Sequence, residues 1–114
     1  MQISEWIKGE ILNGVFGVDD KVYSQYKLAE MFNINPATAA KGLTKLAEDG
    51  ILYDKRGLGK FVADDAKEKV IDKRKNQTLK RMLEEIVQEA DRLNMDEEEL
   101  MAMMKVVMNG EGER

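Results

Sequence analysis

Residues 34–62 read INPATAAKGLTKLAEDGILYDKRGLGKFV, a stretch that predicts a helix followed by a β-hairpin. Asn35 is a favoured N-cap because its side-chain oxygen can accept a hydrogen bond from an N–H group of the first turn. Pro36 follows at a position where its missing N–H costs nothing. Gly50 suits the left-handed conformation in which many helices end. We therefore predict a helix that begins at Pro36 and stops at Gly50.

The two faces of this helix differ in their chemistry. Leu43, Leu46 and Ala47 recur at helical spacing and predict a buried stripe. The outward face carries short or cationic side chains, namely Ala37, Thr38, Lys41 and Lys45. Because no bulky carboxylate comes before Glu48, this face can approach a polyanion closely.

After Gly50 the apolar residues lose the helical period. Ile51–Tyr53 and Phe61–Val62 are short apolar runs that flank a turn containing glycine, which predicts a β-hairpin. The predicted tip carries Lys55, Arg56 and Lys60. In isolation, a cluster of cations on a hairpin tip is most often only exposed to solvent. Directly behind a helix with a basic face, they favour a wing that contacts phosphates or a narrow minor groove.

A second short helix is predicted upstream of the first. Ser24 is a suitable N-cap for it, and Asn33 closes it. Its predicted buried side consists of Leu28, Met31 and Phe32. Two short helices separated by a brief turn form a helix-turn-helix, in which the second helix normally enters the major groove.

An amphipathic helix opens the chain. Ile3, Ile7 and Ile11 repeat every four residues with Trp6 beside them, and the helix is predicted to end near Gly14. The N-terminal half is therefore predicted to be a core of three helices plus a wing.

Five short motifs within residues 1–63 form one combined pattern. They are Ile7…Ile11…Gly14, Ser24…Leu28-Ala29, Ile34–Thr38, Leu46…Asp49–Leu52 and Lys55–Val62. Together they resemble the winged-helix domain of GntR-type bacterial transcription regulators. The Asn-Pro-x-Thr opening of the recognition helix and the short C-terminal region are similar to the small YtrA-like branch. The resemblance implies a winged helix-turn-helix that binds double-stranded DNA at residues 1–63, followed by two C-terminal helices.

The resemblance also implies which residues meet DNA. The major groove would be faced by Asn35, Thr38 and Lys41, and the minor groove by Arg56 and Gly57. The full predicted DNA-binding set is Ser24, Tyr26, Lys27, Asn35, Ala37, Thr38, Lys41, Lys45, Lys55, Arg56, Gly57 and Lys60.

The chain departs from the family pattern at several of these places. Tyr26 stands where an arginine commonly contacts DNA, and Lys27 replaces the glutamate that would complete a capping box with Ser24. Ala39 and Ala40 occupy places where related proteins often carry larger or polar groups. We expect Tyr26 and Lys27 to alter operator preference or to weaken binding, and Ala39 and Ala40 to make sequence readout sparse.

Composition excludes several classes of function. The 114 residues fit one compact domain, or a small domain with an attached element, and contain neither cysteine nor histidine. Thiol nucleophiles, zinc-finger ligands, disulfides and a histidine general base are thereby excluded. We predict that the protein is not an enzyme and that it binds neither a metal ion nor a cofactor. No apolar run approaches the ~20 residues of a membrane span, and the charged N-terminus is unlike a signal peptide, so a cytoplasmic location is expected.

Charge is distributed unevenly along the chain. The net charge is −4 overall. Residues 1–63 hold eight Lys/Arg and eight Asp/Glu, so the whole deficit lies in residues 64–114. A distant acidic region need not abolish DNA binding, because exposed charges are screened beyond about 8 Å at physiological salt.

Residues 64–114 are predicted to form two helices that mediate dimerisation. The first begins at about Ala66 and carries a long apolar stripe; the second is capped by Asp96, with Glu99 completing a capping box. The predicted dimer interface comprises Leu79, Met82, Leu83, Ile86, Val87, Ala90, Leu93, Leu100, Met101, Met104, Val107 and Met108. Two alternatives remain open: these helices pack on their own winged helix, or the methionines bind a foreign helix.

We therefore predict a homodimeric, sequence-specific DNA-binding transcription regulator, more specifically a repressor that recognises an inverted repeat. The alternative is a winged-helix protein-interaction module that has lost DNA binding. A small-molecule effector could bind between the subunits, but no cluster of residues indicates its chemistry.

Overall fold

The computed structural model describes residues 3–110, so the outermost residues of both predicted domains lie outside it. The elements are α1 (Ile3–Leu12), α2 (Gln25–Phe32), α3 (Pro36–Glu48), β1 (Leu52–Lys55), β2 (Gly59–Val62), α4 (Ala66–Lys73), a π-helical segment (Arg74–Leu79), α5 (Lys80–Arg92) and α6 (Glu97–Met108). This is the predicted fold class, mainly helical with a small β-hairpin. The chain forms two compact units, of which the first ends at Arg74 and the second begins at Lys75.

Side-chain caps define both helices of the helix-turn-helix. The Ser24 hydroxyl accepts from the Lys27 N–H at 3.1 Å, and the Asn35 side chain accepts from the Ala37 N–H at 2.8 Å. Asn33 lies in the left-handed region with φ 54°, which ends α2. The predicted starts of α2 and α3 are confirmed.

The end of α3 is a Schellman motif. Gly50 has φ +74°, its N–H donates to Ala47 at 3.1 Å, and the Ile51 N–H donates to Leu46 at 2.9 Å. The Lys69 ammonium also donates to the Gly50 carbonyl at 3.2 Å. The stop predicted at Gly50 is therefore confirmed, and it turns the chain directly into β1.

The core of the first unit lies between α1, α3 and α4. Its buried members are Ile3, Ile7, Ile11, Phe16, Val22, Leu28, Ala39, Leu43, Leu46, Ile51, Leu52, Val62, Ala66 and Val70. α1 packs closely on α3 at Gly42, where an added Cβ would lie 3.0 Å from the Ile3 Cβ. This close approach fixes the orientation of α3.

Aromatic rings close one side of this core. Trp6 makes edge contacts with Phe32 and Phe16, at centroid distances of 5.0 Å and 6.3 Å, and stacks on Tyr23 at 6.4 Å. Trp6 is the only tryptophan in the chain, so its fluorescence will report on the packing of this unit.

The prediction that Met31 is buried is wrong, because 42% of it is exposed. Leu28 and Ala29 are buried and Phe32 packs against the core. On a helix these three residues define a stripe that leaves Met31 at its margin. Ala29, which spacing by threes and fours overlooked, takes the core position.

The hairpin carries a third extended segment beside it. β1 pairs with β2 in antiparallel register, with Leu52 opposite Val62 and Asp54 opposite Lys60. On the other side of β2, the Asp19 N–H donates to Val62 and the Val22 N–H donates to Lys60, at 2.9 Å and 3.0 Å. These bonds attach the wing to the core.

α4 belongs to the first unit. It packs against α1, and its Ala66 and Val70 are each 1% exposed. The sequence assigned these residues to the dimerisation region because the long helix was predicted as one element. The start at Ala66 is as predicted, whereas the π-helical turn at Arg74–Leu79 was not foreseen.

The second unit contains α5 and α6. The Asp96 side chain accepts from the Glu99 N–H at 2.9 Å, which confirms the predicted cap of α6. Most large apolar side chains of both helices, and those of Leu79 and Leu93 that flank α5, are exposed; those within the helices include Met82, Leu83, Ile86, Val87, Met101, Met103, Val106, Val107 and Met108. Ala90 differs from its predicted neighbours in being 6% exposed, hence covered within its own chain.

The described helices do not include one that is both long enough and apolar enough to cross a membrane.

Candidate nucleic-acid interface

α3 turns one face into the core and the opposite face outward. Ala39, Leu43 and Leu46 are buried, while Ala47 is half-buried. The residues predicted to face outward are all exposed: Ala37, Thr38, Lys41 and Lys45. Ala39, which stands where related proteins often carry larger or polar groups, lies on the buried side with Leu43 and Leu46.

The outward face of α3 has two cations with different surroundings. The Lys45 ammonium is 3.7 Å from the Asp49 carboxylate, a surface pair one turn along the helix. Within residues 3–110 no carboxylate pairs with Lys41. Lys41 is therefore the cation of this face whose charge is available to an external anion.

The start of α2 brings three of the predicted contact residues together. Ser24 caps the helix, and Tyr26, which is 70% exposed, follows in the first turn. Lys27 is exposed and lies 3.6 Å from Glu30. An exposed ion pair of this kind contributes little stability, so the Lys27 charge can be redirected to another anion at small cost.

The tip of the hairpin is a three-residue turn of Arg56, Gly57 and Leu58. Gly57 has φ +78°, and the Leu58 N–H donates to the Lys55 carbonyl at 2.9 Å. An added Cβ on Gly57 would meet nothing within 4 Å, so its surroundings are open. No ion pair to Arg56 exists in the described part of the chain, which leaves this guanidinium exposed at the tip.

The other two wing cations are held by the hairpin itself. The Lys60 ammonium lies 2.7 Å from Asp54, the residue opposite it in β2 and β1. The Lys55 ammonium lies over the Phe61 ring, 4.5 Å from its centroid. The prediction that Lys60 lies at the tip is therefore wrong. Its position follows from the strand register, which places it across from an acid.

Tyr53 links the wing to the loop before α2. Its hydroxyl donates to the Asp19 carboxylate at 2.5 Å. This hydrogen bond, followed by desolvation and the negative charges of Asp19 and Asp64, raises the pKa of Tyr53 above its ordinary value of 10.0. The link was not predicted, because Asp19 and Tyr53 are far apart in sequence.

One further exposed residue at the interface was missed. Leu58, 59% exposed, shares the tip with Arg56 and Gly57. Its signal in the sequence was weak, since a single apolar residue between two glycines is equally typical of a buried strand end. Among residues 3–110 no cluster of three acidic, histidine or cysteine side chains is arranged to hold a metal ion.

The chain is similar to several bacterial regulators, although no family model matches it. It is 35% identical over 63 residues to the HTH-type transcriptional regulator YisV of Bacillus subtilis, covering 55% of this chain and 13% of YisV. It therefore spans only a small part of that relative. With the HTH-type transcriptional repressor YtrA of the same organism it is 27% identical over 106 residues, covering 93% of this chain and 81% of YtrA.

Solved structures extend this similarity to the fold. A GntR family transcriptional regulator from Listeria monocytogenes is 31% identical with a TM-score of 0.72, over 91% of this chain and 90% of that one. The DNA-binding domain of AraR in complex with operator ORX1 is 32% identical with a TM-score of 0.52, over 54% of this chain and 75% of that one. These proteins are regulators, in agreement with the prediction that the chain is not an enzyme. The chain belongs to the GntR family of transcription regulators and is related to YtrA.

Proposed function

We propose that this chain is a homodimeric repressor that binds an inverted-repeat operator in double-stranded DNA. The observation that carries the proposal is the outward face of α3, on which Ala37, Thr38 and Lys41 are exposed and precede the first carboxylate of the helix, Glu48. α3 is capped at its start and pinned to α1 at Gly42, so this face has a fixed orientation.

α3 enters the major groove in this proposal. Asn35, Thr38 and Lys41 lie on its first two turns, which is the part of a recognition helix that normally contacts base edges. The similarity to the operator-bound domain of AraR supports the same use of α3 here. Because Thr38 and Lys41 are the main base-reading candidates, we expect sequence readout to be sparse and phosphate contacts to supply much of the affinity.

Phosphate contacts come from the start of α2 and from the last turn of α3. Ser24, Tyr26 and Lys27 lie at the start of α2, where N–H groups and the helix dipole favour an anion. Tyr26 offers a hydroxyl in place of the charge of the arginine common in the family. Lys45 adds a cation to the α3 face.

The wing enters the minor groove. Arg56 is the exposed cation of its tip, and Gly57 allows the backbone to approach DNA closely. Lys55 and Lys60 shape the hairpin through Phe61 and Asp54, and their charges still add to the positive potential.

Dimerisation is assigned to residues 64–114, with residues 1–63 as the DNA-binding domain. Within that C-terminal region, α5 and α6 supply the interface, because their apolar residues are exposed in the single chain. α4 instead completes the core of the first unit through Ala66 and Val70. A dimer presents two recognition helices to half-sites about one helical turn apart, ~34 Å. Acting on the chromosome places the protein in the cytoplasm, and a small-molecule effector bound between subunits would alter this spacing.

The test is selection of binding sequences from a pool of random duplexes, followed by titration of the winner at several salt concentrations. We expect an inverted repeat and an affinity that falls steeply with salt. If no duplex binds in a salt-sensitive manner at micromolar protein, the proposal is wrong and the interaction-module alternative is favoured.

Arg56→Ala tests the wing, with Lys105→Ala in α6 as its control. Removing the Arg56 charge should weaken binding and, if its contact is to a phosphate, make the salt slope less steep by about 0.9. Lys105→Ala also removes one cation, but from outside the proposed interface, and should leave the slope unchanged. If both variants bind DNA like the wild type, the wing does not take part in binding.

A further inference from the structure

Two oppositely charged residues of α5, Lys80 and Asp91, lie beside an exposed apolar stripe that consists of Leu79, Met82, Leu83, Ile86 and Leu93. Lys80 lies at the start of α5 and Asp91 near its end, separated by about three helical turns, so both border the same flank of the stripe. Both side chains are exposed, and in the described part of the chain neither forms an ion pair. By contrast, Glu89 and Arg92 of the same helix are paired at 2.7 Å.

Asp91 also lines a cleft within the second unit. The cleft has a volume of ≈ 380 Å³ and is bordered by residues of α5, of α6 and of the turn between them. Three of its lining residues are acidic, namely Asp91, Asp96 and Glu97, whereas Val87, Met95 and Leu100 supply apolar walls. Among residues 3–110, no lysine or arginine lines this cleft. Such a cleft fits the apolar stem and cationic head of a lysine.

The stripe of α5 is self-complementary about Ile86. Leu79 and Leu93 lie at equal distances on either side of Ile86. Two copies of α5 that run antiparallel through Ile86 would therefore bring Leu79 of one copy beside Leu93 of the other. The same pairing places Lys80 of one copy within about one residue rise, ~1.5 Å along the axis, of the level of Asp91 in the other.

We infer that α5 pairs antiparallel with α5 of a second copy of this chain, with the two-fold axis near Ile86. Lys80 of each copy then reaches the acidic cleft of the other, so the charges are matched twice. A parallel pairing would instead place the Lys80–Asp91 flanks of the two copies on opposite sides of the interface, so that neither charge would meet a partner. The inference rests on the homodimer of the proposed function and adds the direction and the register of its central helices.

Engineered cysteines test the direction, because the chain has no cysteine of its own. Leu79→Cys, Leu93→Cys and the double variant are oxidised and their disulfide-linked dimers are quantified. We expect the double variant to form covalent dimers and both single variants to form few. An intrachain disulfide is precluded in the double variant, since the two positions are roughly 21 Å apart along the helix.

Charge reversal tests the energetics in the intact protein. Lys80→Glu should raise the dimer Kd about tenfold at low salt, because two attractive pairs become repulsive. Adding Asp91→Lys to this variant should lower the dimer Kd again by threefold or more. Arg81→Glu is the matched control: it has the same charge change at the same end of α5 but lies on the face opposite the stripe, and it should change the Kd less than twofold.

The outcomes separate this inference from the proposed function. If the wild type is a dimer by light scattering and Leu79→Cys alone cross-links, the helices are parallel and only the inference fails. If the wild type is a dimer and none of the cysteine variants cross-links, the α5 pairing is likewise wrong. If the wild type is a monomer at all concentrations, the homodimer itself is refuted.

Discussion

Two glycine-to-alanine substitutions in neighbouring helices should change stability in opposite directions. At Gly42 in α3 the added Cβ would lie 3.0 Å from the Ile3 Cβ, 3.2 Å from its Cγ2 and 3.4 Å from the Ser4 nitrogen. The Ile3 Cβ and the Ser4 backbone cannot rotate away, so α1 itself must shift. Overpacking of this kind costs about 1–3 kcal/mol, against the roughly 1 kcal/mol that alanine gains over glycine in a helix. We expect Gly42→Ala to destabilise the first unit by about 1 kcal/mol.

Gly9→Ala in α1 is the matched control. An added Cβ at Gly9 meets nothing within 4 Å, so only the helix propensity changes. We expect it to stabilise the protein by about 0.5–1 kcal/mol, which makes the difference between the variants about 2 kcal/mol. Urea unfolding followed by Trp6 fluorescence measures both at equal protein concentration. Equal unfolding midpoints for the two variants would refute the claim that α1 and α3 are in close contact at Gly42.

Three further expectations concern the caps, the wing and the division into units. Asn35→Ala removes the 2.8 Å bond that starts α3 and should lower the free energy of unfolding by about 0.5–2 kcal/mol, whereas Asn35→Asp, which keeps an acceptor oxygen, should not. Because the pKa of Tyr53 is raised, its hydrogen bond to Asp19 stabilises the wing below about pH 10 and is lost as the pH rises through the folded-state pKa. In urea titrations, the stability advantage of the wild type over Tyr53→Phe should therefore shrink only at alkaline pH. A chain truncated after Arg74 should keep the wild-type Trp6 emission and sediment as a monomer; a dimer would show that α5 and α6 do not mediate association.

Local chemistry made α3 predictable. Its start depends on the Asn35 side chain and its end on the left-handed Gly50, and both effects act within a few residues. The outward face follows from helical periodicity once the buried leucines are known. Every predicted contact residue of α3 is accordingly exposed.

Longer-range effects were not predictable to the same extent. Lys60 was expected at the wing tip, but its pairing with Asp54 depends on strand register. The Tyr53 bond to Asp19 joins segments that only the tertiary fold brings together. The burial of Ala66 and Val70 needs α1 as a partner, and the π-helical turn after Lys73 has no recognisable signal in its sequence.

The most direct test of the central claim is to measure DNA binding by a variant that lacks three side chains of the proposed interface. Thr38→Ala, Lys41→Ala and Arg56→Ala are combined, and circular dichroism and Trp6 fluorescence verify that the fold is retained. We predict that affinity for the selected duplex falls by about 100-fold or more, and that the salt slope becomes less steep by about 1.8 if both cations contact phosphates. A variant that is folded and binds with the affinity and salt slope of the wild type would contradict the claim that the outward face of α3 and the wing contact DNA.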